Sequence, residues 1–292
     1  MEANDREHTE RRIPRWAARL IARLSEDQPV VLSRGDLLTY LGELGDNRDV
    51  DDTIEQLVRL GWLQSTNRHG VWGFLPLGDP GGDDPYMPLR AWLARDPEAV
   101  FALAGEASAW HLGYLDRRYT GPVRVWVPEG ERPPFGARSK LAVVHLGWSA
   151  GMLSALQPSR ALLRRRQLDL TRWASSLPAF GPEALLAQLS IRPSSFFPWA
   201  DLADHLDRLT EDCDAEKVCK LLLDQTPTAW QRAAYLAQVG GAGDLADAII
   251  DRRGNAPLPH VFLGANGDGL YSARFNVTDR LVAPYLAVAG KA

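Results

Sequence analysis

Cysteine is nearly absent: Cys213 and Cys219 are the only two in 292 residues. Two are too few for a disulfide framework. Their spacing puts them on different faces of a helix, which argues against a shared metal site. Neutral or buried thiols suit a reducing cytoplasm. Long apolar runs are missing as well. The longest, LAVVHLGWSAGMLSAL, carries His145 and glycines and is too short to span a bilayer. The first residues, MEANDREHTERR, are charged and lack the apolar centre of a signal peptide. The expectation is a soluble, cytoplasmic chain with no membrane partner. Positive charge is not in excess either: the net charge is −4 and the pI near 5.9. Attraction to nucleic acid, if any, must come from local patches.

Strong catalytic motifs are lacking too. There is no GxSxG, HExxH, Walker sequence or CxxC, so the expectation is no enzyme activity, no cofactor and no metal. The six histidines are scattered singly, and His111 and His145 sit in apolar surroundings that suggest core packing. The glycine-rich stretches VGGAGD and GANGDG fit a helix end and a hairpin turn rather than phosphate cradles. Asp201, Asp204 and Asp207 recur every three residues near His205 and read as the polar face of an amphipathic helix. The alternative is a metal-binding set in an enzyme acting on nucleic acid.

What is present is a helix and strand order. Residues 1–12 are expected to form a disordered tail. RWAARLIARL follows with Trp16, Leu20 and Leu24 at helical spacing. Arg12, Arg15, Arg19 and Arg23 form a second stripe, either a solvated face or an edge that follows phosphates. Val30 to Leu32 predict a strand. Ser33 is a good helix N-cap with Asp36 three residues on, and Leu37, Leu38 and Leu41 should point inward. A third helix is expected from about Arg48 to Leu60, ending at Gly61. Two strands, WLQST and VWGFLPL, flank the turn NRHG. This order predicts a winged helix-turn-helix domain over 13–78.

GDPGGDDPYMP cannot pack a core and predicts a linker over 79–88. Residues 89–292 mix both patterns and predict a larger α/β domain, so the chain as a whole is α+β. PEAVFALAGEASAWHLGYL reads as one long helix or a helical pair, GPVRVWVPEG and KLAVVHLGW as strands, and HVFLGANGDGLYSARFNVTD as a late strand pair. GPEALLAQL, WADLADHLDRL, AEKVCKLLL, TAWQRAAYLAQVGG and DLADAIIDRR read as helices.

On the third helix the apolar residues Val50, Ile54, Leu57 and Val58 cluster on one side. Arg48, Asp52, Glu55, Gln56 and Arg59 project opposite, as the outward face of a recognition helix must. Arg48 with Asp52, and Glu55 with Arg59, have the spacing of ion pairs. The groups left for base edges are Arg48 toward guanine, Gln56 toward adenine and Asp52 toward cytosine, with Asn47 alongside. Arg68 and His69 in the turn could reach a phosphate or the minor groove. Ser33 and Arg34 open a helix N-terminus that could hold a phosphate. Further on, Arg160, Arg164, Arg165 and Arg166 cluster, with Arg172 soon after. They form either a solvated helix end or a second basic surface.

The stretches LVRLGWLQSTNRHGVWGF and FALAGEASAWHLGYLDRRYTGPVRVWVPEG, with the late helix AWQRAAYLAQVGG, resemble the AbiEi-type antitoxins. These are the regulator half of bacterial AbiE (type IV-like) toxin–antitoxin pairs, and the likeness is to the mycobacterial members. The likeness rests on Leu57 to Gly61, Gly70 to Phe74, Ala104 to Leu112 and Val123 to Pro128. It implies a repressor that binds inverted repeats in double-stranded DNA of its own promoter. It also implies a cognate toxin with a nucleotidyltransferase-like fold and a C-terminal domain that carries the antitoxin activity. The DNA contacts it implies fall at Ser33, Arg34, Arg48, Gln56, Arg68 and His69. The alternative is a winged helix that docks a protein partner, the toxin, without reading DNA.

Overall fold

The computed structural model describes residues 13–66, 68–76, 84–134, 140–167, 177–254, 257–265 and 267–289. The tail at 1–12, Asn67 of the turn, residues 79–83 of the linker and Arg172 lie outside the described residues. The chain divides into two compact units, one of residues 1–99 with 134–139, the other of the remainder.

Unit 1 runs α1 (Ala18–Asp27), β1 (Val31–Ser33), α2 (Arg34–Glu43), α3 (Val50–Arg59), β2 (Leu63–Ser65), β3 (Val71–Phe74) and α4 (Met87–Arg95). The three strands form one antiparallel sheet in the order β1-β3-β2. The short first strand pairs with the second arm of the β2–β3 hairpin. Leu20, Ile21 and Leu24 of α1, Leu37 and Leu41 of α2, Val50, Ile54 and Leu57 of α3, and Trp62 form one core. Ser33 caps α2 in a full capping box with Asp36. Gly61 leaves α3 with φ +77°, as the chain turns sharply to bury Trp62.

Four expectations for unit 1 need correction. Helix α3 starts at Val50, not Arg48, because the Asp49 side chain accepts from the backbone N–H groups of Asp51 and Asp52 and fixes the start there. Leu38 is 54% exposed rather than inward; on a helix whose inward face is set by Leu37 and Leu41, the residue after Leu37 lies off that face. Strand β1 is one residue later than Val30–Leu32. The unit also continues past the linker expected at 79–88: α4 packs on β1 and β3, and the boundary falls after Ala99. Gly73 of β3 allows this packing, since a Cβ there would stand 3.1 Å from Met87 Cε.

Unit 2 begins with β4 (Ala102–Leu103), α5 (Gly105–His111), β5 (Val123–Trp126) and β6 (Leu141–Val144). Strand β5 pairs antiparallel with β4 and parallel with β6. Helices follow as α6 (Leu153–Leu156), α7 (Arg160–Arg165), α8 (Pro182–Ile191), α9 (Trp199–Ala203), α10 (Leu206–Glu211), α11 (Ala215–Leu222), α12 (Pro227–Val239) and α13 (Gly243–Arg253). The chain closes with β7 (Val261–Leu263), β8 (Leu270–Ser272), β9 (Val277–Asp279) and α14 (Ala283–Ala289). Helix α8 is buried from Pro182 to Ser190 and is the centre of the unit, with α5, α11 and α12 packed on it. Trp126, Trp148 and Phe180 form a tilted aromatic cluster with centroids 5.7 to 6.3 Å apart.

Helix α12 clasps the late strands. Gln231 Nε2 donates to the carbonyls of Pro259 (2.8 Å) and Phe275 (2.9 Å). Arg232 Nε donates to the carbonyl of Phe262 at 2.8 Å. The Tyr235 hydroxyl donates to buried Asp279 at 2.9 Å. Asp279 also accepts from the N–H groups of Leu281, Val282 and Ala283, which leads the chain into α14.

Here too the sequence pattern misleads in places. The stretch 97–115 is a short strand and a seven-residue helix, neither one long helix nor a helical pair. WADLADHLDRL breaks into α9 and α10 at Asp204–His205. The late strand pair is a three-stranded sheet of order β7-β9-β8, with β7 parallel to β9. His145 is exposed rather than in the core, because β6 ends at Val144.

His111 is half-buried at the end of α5, and burial, helped by the Arg118 charge, pulls its pKa down to about 4. The unfolded chain takes up that proton near pH 6.5 while the folded chain resists it. Stability contributed at neutral pH is therefore lost as pH falls from about 6.5 towards 4, by up to about 3 kcal/mol. His111→Gln should flatten this part of the stability–pH curve, measured by urea unfolding at a series of pH values.

Candidate nucleic-acid interface

The outward face of α3 is mixed in charge. Asp52, Glu55 and Arg59 are exposed and Gln56 is half-buried. Glu55 and Arg59 form no ion pair with each other, although the spacing allows one. Arg48 does not pair with Asp52. It sits before the helix, with Nε 3.5 Å from Asp46 and its guanidinium carbon 4.6 Å from the Trp16 ring centroid. Asn47 is exposed beside it. Arg48 is thus held at the mouth of the helix by a ring from α1's leading turn, an arrangement that spacing along α3 could not reveal.

Asp51, read from sequence as a helix-start residue, has a second role. Arg34, at the start of α2, donates to both of its carboxylate oxygens at 2.9 Å. This fork holds the Asp51 carboxyl below the usual carboxylate range and raises the Arg34 guanidinium. Ser33 is also engaged: its hydroxyl accepts from Asp36 N–H and donates to the Asp36 carboxylate at 2.8 Å. The N-terminus of α2 therefore carries its own anion, and the expectation of a phosphate at Ser33 meets that carboxylate.

In the turn between β2 and β3, Thr66 organises the backbone by donating to the Val71 carbonyl at 2.8 Å and accepting from Arg68 N–H at 3.2 Å. Arg68 is half-buried, with Nε lacking a hydrogen-bond partner, and His69 is exposed. Along α1, Arg15 and Arg19 are exposed, while Arg23 is engaged by Glu26 and Asp27 at 3.6 and 3.3 Å.

The arginine cluster of unit 2 splits in two. Arg160 and Arg164 are exposed on α7. Arg165 and Arg166 both bind the Asp212 carboxylate, and Arg166 lies over the Tyr114 ring with 4.9 Å to its centroid. Arg166 is thereby drawn largely out of solvent, whereas Arg165 pairs with Asp212 and stays exposed at the surface. Among the described residues no group of His, Cys, Asp and Glu is arranged to hold a metal. Asp201 instead accepts from Arg117 at 3.1 Å. Burial raises both the Cys213 and Cys219 thiols, which disfavours the thiolate that a metal or an electrophile would need.

A family model for the AbiEi antitoxin C-terminal domain matches residues 99–239. The crystal structure of the RV2827C protein from Mycobacterium tuberculosis is 45% identical and superimposes with a TM-score of 0.84, over 96% of this chain and 97% of that one. The chain belongs to the AbiEi antitoxin family. No curated protein matches it.

The AbiEi match opens where unit 2 opens and runs to the end of α12. It takes in the α7 arginines and the α8 core, and stops short of the late sheet. The family assigns the chain to a toxin–antitoxin system with an antitoxin role. No helix among the described residues is long and apolar enough to cross a membrane. Sequence reading of this AbiEi antitoxin missed Arg34–Asp51, Arg48 over Trp16 and the Asp212 clasp. Each joins residues far apart in the chain, and no local spacing signals them.

Proposed function

We propose that this AbiEi antitoxin is a DNA-binding autorepressor of its toxin–antitoxin operon. In this reading unit 1 is a winged helix that reads inverted repeats in double-stranded DNA at its own promoter. The partner neutralised is a nucleotidyltransferase-like toxin. The observation that carries the proposal is the outward face of α3. Its apolar residues are buried in a core with α1 and α2, while Asp52 and Arg59 are exposed and Gln56 half-buried, with Arg48 exposed just before the helix and His69 exposed in the turn between β2 and β3. Phosphate attraction comes from Arg15, Arg19 and Arg68, with Arg160 and Arg164 as a further basic surface.

The acidic first turn of α3, with Asp51 and Asp52 behind the Asp49 cap, favours a second reading. In that reading the helix docks a basic face of the toxin and no DNA is read.

Anisotropy titrations with a labelled promoter repeat and a scrambled duplex separate the two. Autorepression predicts tighter binding to the repeat, falling steeply with salt. Arg68→Ala should weaken both duplexes alike and reduce the salt slope by about one. Gln56→Ala should instead narrow the preference for the repeat, by roughly tenfold. Equal binding to both duplexes at low salt would remove sequence-specific repression, and toxin binding with no DNA binding would favour the docking reading.

A further inference from the structure

Unit 2 contains a cleft of about 460 Å³ that DNA reading by unit 1 does not use. Three stretches distant in sequence build it: the segment after α5, the segment entering α9, and α14. Large rings stand open there, Phe197 at 59% and Tyr285 at 45% exposure. Tyr119 lies nearly parallel to Phe197, with centroids 6.2 Å apart and planes 18° from each other.

These rings are held in place from behind. The backbone N–H of Phe197 donates to Glu106 at 3.1 Å. Glu106 is buried and paired with Arg124 at 3.0 Å. The Arg124 guanidinium carbon in turn lies 4.7 Å from the Phe197 ring centroid. Tyr119 rests against Gly121, where an added Cβ would overlap the ring. Aromatic faces left open over a buried ion pair are not explained by packing.

The rim adds charge. Arg117 and Arg118 line the cleft with Asp201. Arg117 donates Nε–H and one Nη–H to the two Asp201 oxygens at 3.1 and 3.3 Å. That fixes the guanidinium and leaves three of its five N–H groups for another acceptor. The charged residues of the lining are two arginines and one carboxylate.

We propose that this cleft binds an unpaired nucleotide, with its base stacked on the Phe197 and Tyr119 rings and its phosphate held by the remaining N–H groups of Arg117. Every base has a π-face, so stacking accepts any base once it is unpaired, whereas a duplex buries its faces. Arginine forks suit phosphate oxygens. The volume falls in the range of small-ligand sites, about 300–1,000 Å³. A free nucleotide and the loose end of a strand share this chemistry.

The test titrates the full chain calorimetrically with AMP, with a single-stranded hexa-adenylate, and with a duplex of the same length. Binding of AMP or of the hexamer is expected, weakened about tenfold or more by Phe197→Ala and also by Arg117→Ala. Phe197→Trp, which keeps an aromatic face, should retain it. Equal affinity for AMP and the hexamer identifies a free-nucleotide site, and a much tighter hexamer identifies a strand end. Phe197 is a surface ring, so its loss should leave the fold intact by circular dichroism. Tyr285→Ala serves as a second variant. The proposal is overturned if neither single-stranded ligand binds at millimolar concentration, or if Phe197→Ala, Tyr285→Ala and Arg117→Ala all bind as the parent does. AMP does not engage a duplex-reading helix, so failure here leaves the repressor reading untouched, and failure of promoter binding leaves this one untouched.

Discussion

Trp62→Ala is expected to unfold unit 1 while unit 2 stays folded. Trp62 is fully buried and lies at the centre of the core formed by α1, α2 and α3. Its backbone also ties two elements, accepting at its carbonyl from Leu75 N–H at 3.0 Å and donating to Leu57 at 2.9 Å. Loss of a buried indole costs about 3–5 kcal/mol, because the transfer energy goes and a cavity stays. A domain of this size has a total stability of only about 5–15 kcal/mol. Hydrogen exchange resolved by segment is the measurement. Protection should collapse between residues 13 and 76 and persist in α8 and α12, whose core contains none of the Trp62 cluster. Unchanged protection in unit 1 would mean that the indole is not its keystone. Promoter binding, if it resides in unit 1, should disappear in the same variant.

Asp279→Ala should be nearly as damaging, but to the other unit. The carboxylate is fully buried and accepts four hydrogen bonds, from Tyr235 and from the N–H groups of residues 281–283. Alanine leaves four donors without an acceptor, each costing about 1–3 kcal/mol unless water reaches it. A net loss of about 3–5 kcal/mol is expected, since α14 can move to let water in. Tyr235→Phe removes one donor and keeps the other three satisfied, so it should cost only about 1 kcal/mol. Urea unfolding followed in unit 2 gives the ranking. Equal losses in the two variants would show that the backbone N–H groups are not what Asp279 serves.

Much of unit 1 was legible because its signals are local. Ser33 and Asp36 are three residues apart and announce a helix start, and Leu57 to Gly61 announce a helix end. Asp49 was the trap: Arg48 has the right spacing for the outward face, but the cap behind it decides where helical geometry begins. Unit 2 was harder. The break between α9 and α10 falls at Asp204–His205 with no glycine or proline to mark it. The parallel pairs β5–β6 and β7–β9 join strands separated by whole segments, so no turn motif exists to find. The site followed the same rule. Gln56, Asp52 and Arg59 could be placed outward by periodicity alone. The Arg34–Asp51 fork and the pairing of Arg165 and Arg166 with Asp212 depend on partners that only the folded chain brings near. The rings of the cleft, Tyr119, Phe197 and Tyr285, carry no motif at all and gain meaning only by convergence.

The clasp from α12 to the late strands has a consequence for how this chain can change over evolutionary time. Gln231 and Arg232 hold the segment through the carbonyls of Pro259, Phe275 and Phe262. Every residue type offers a carbonyl. Side chains at Pro259 and Phe262 can therefore drift without loosening the grip, whereas Gln231, Arg232 and the buried ring of Phe275 cannot. The exposed positions of the late sheet are free to explore new surfaces, while its attachment is written in one helix together with Phe275 and Asp279.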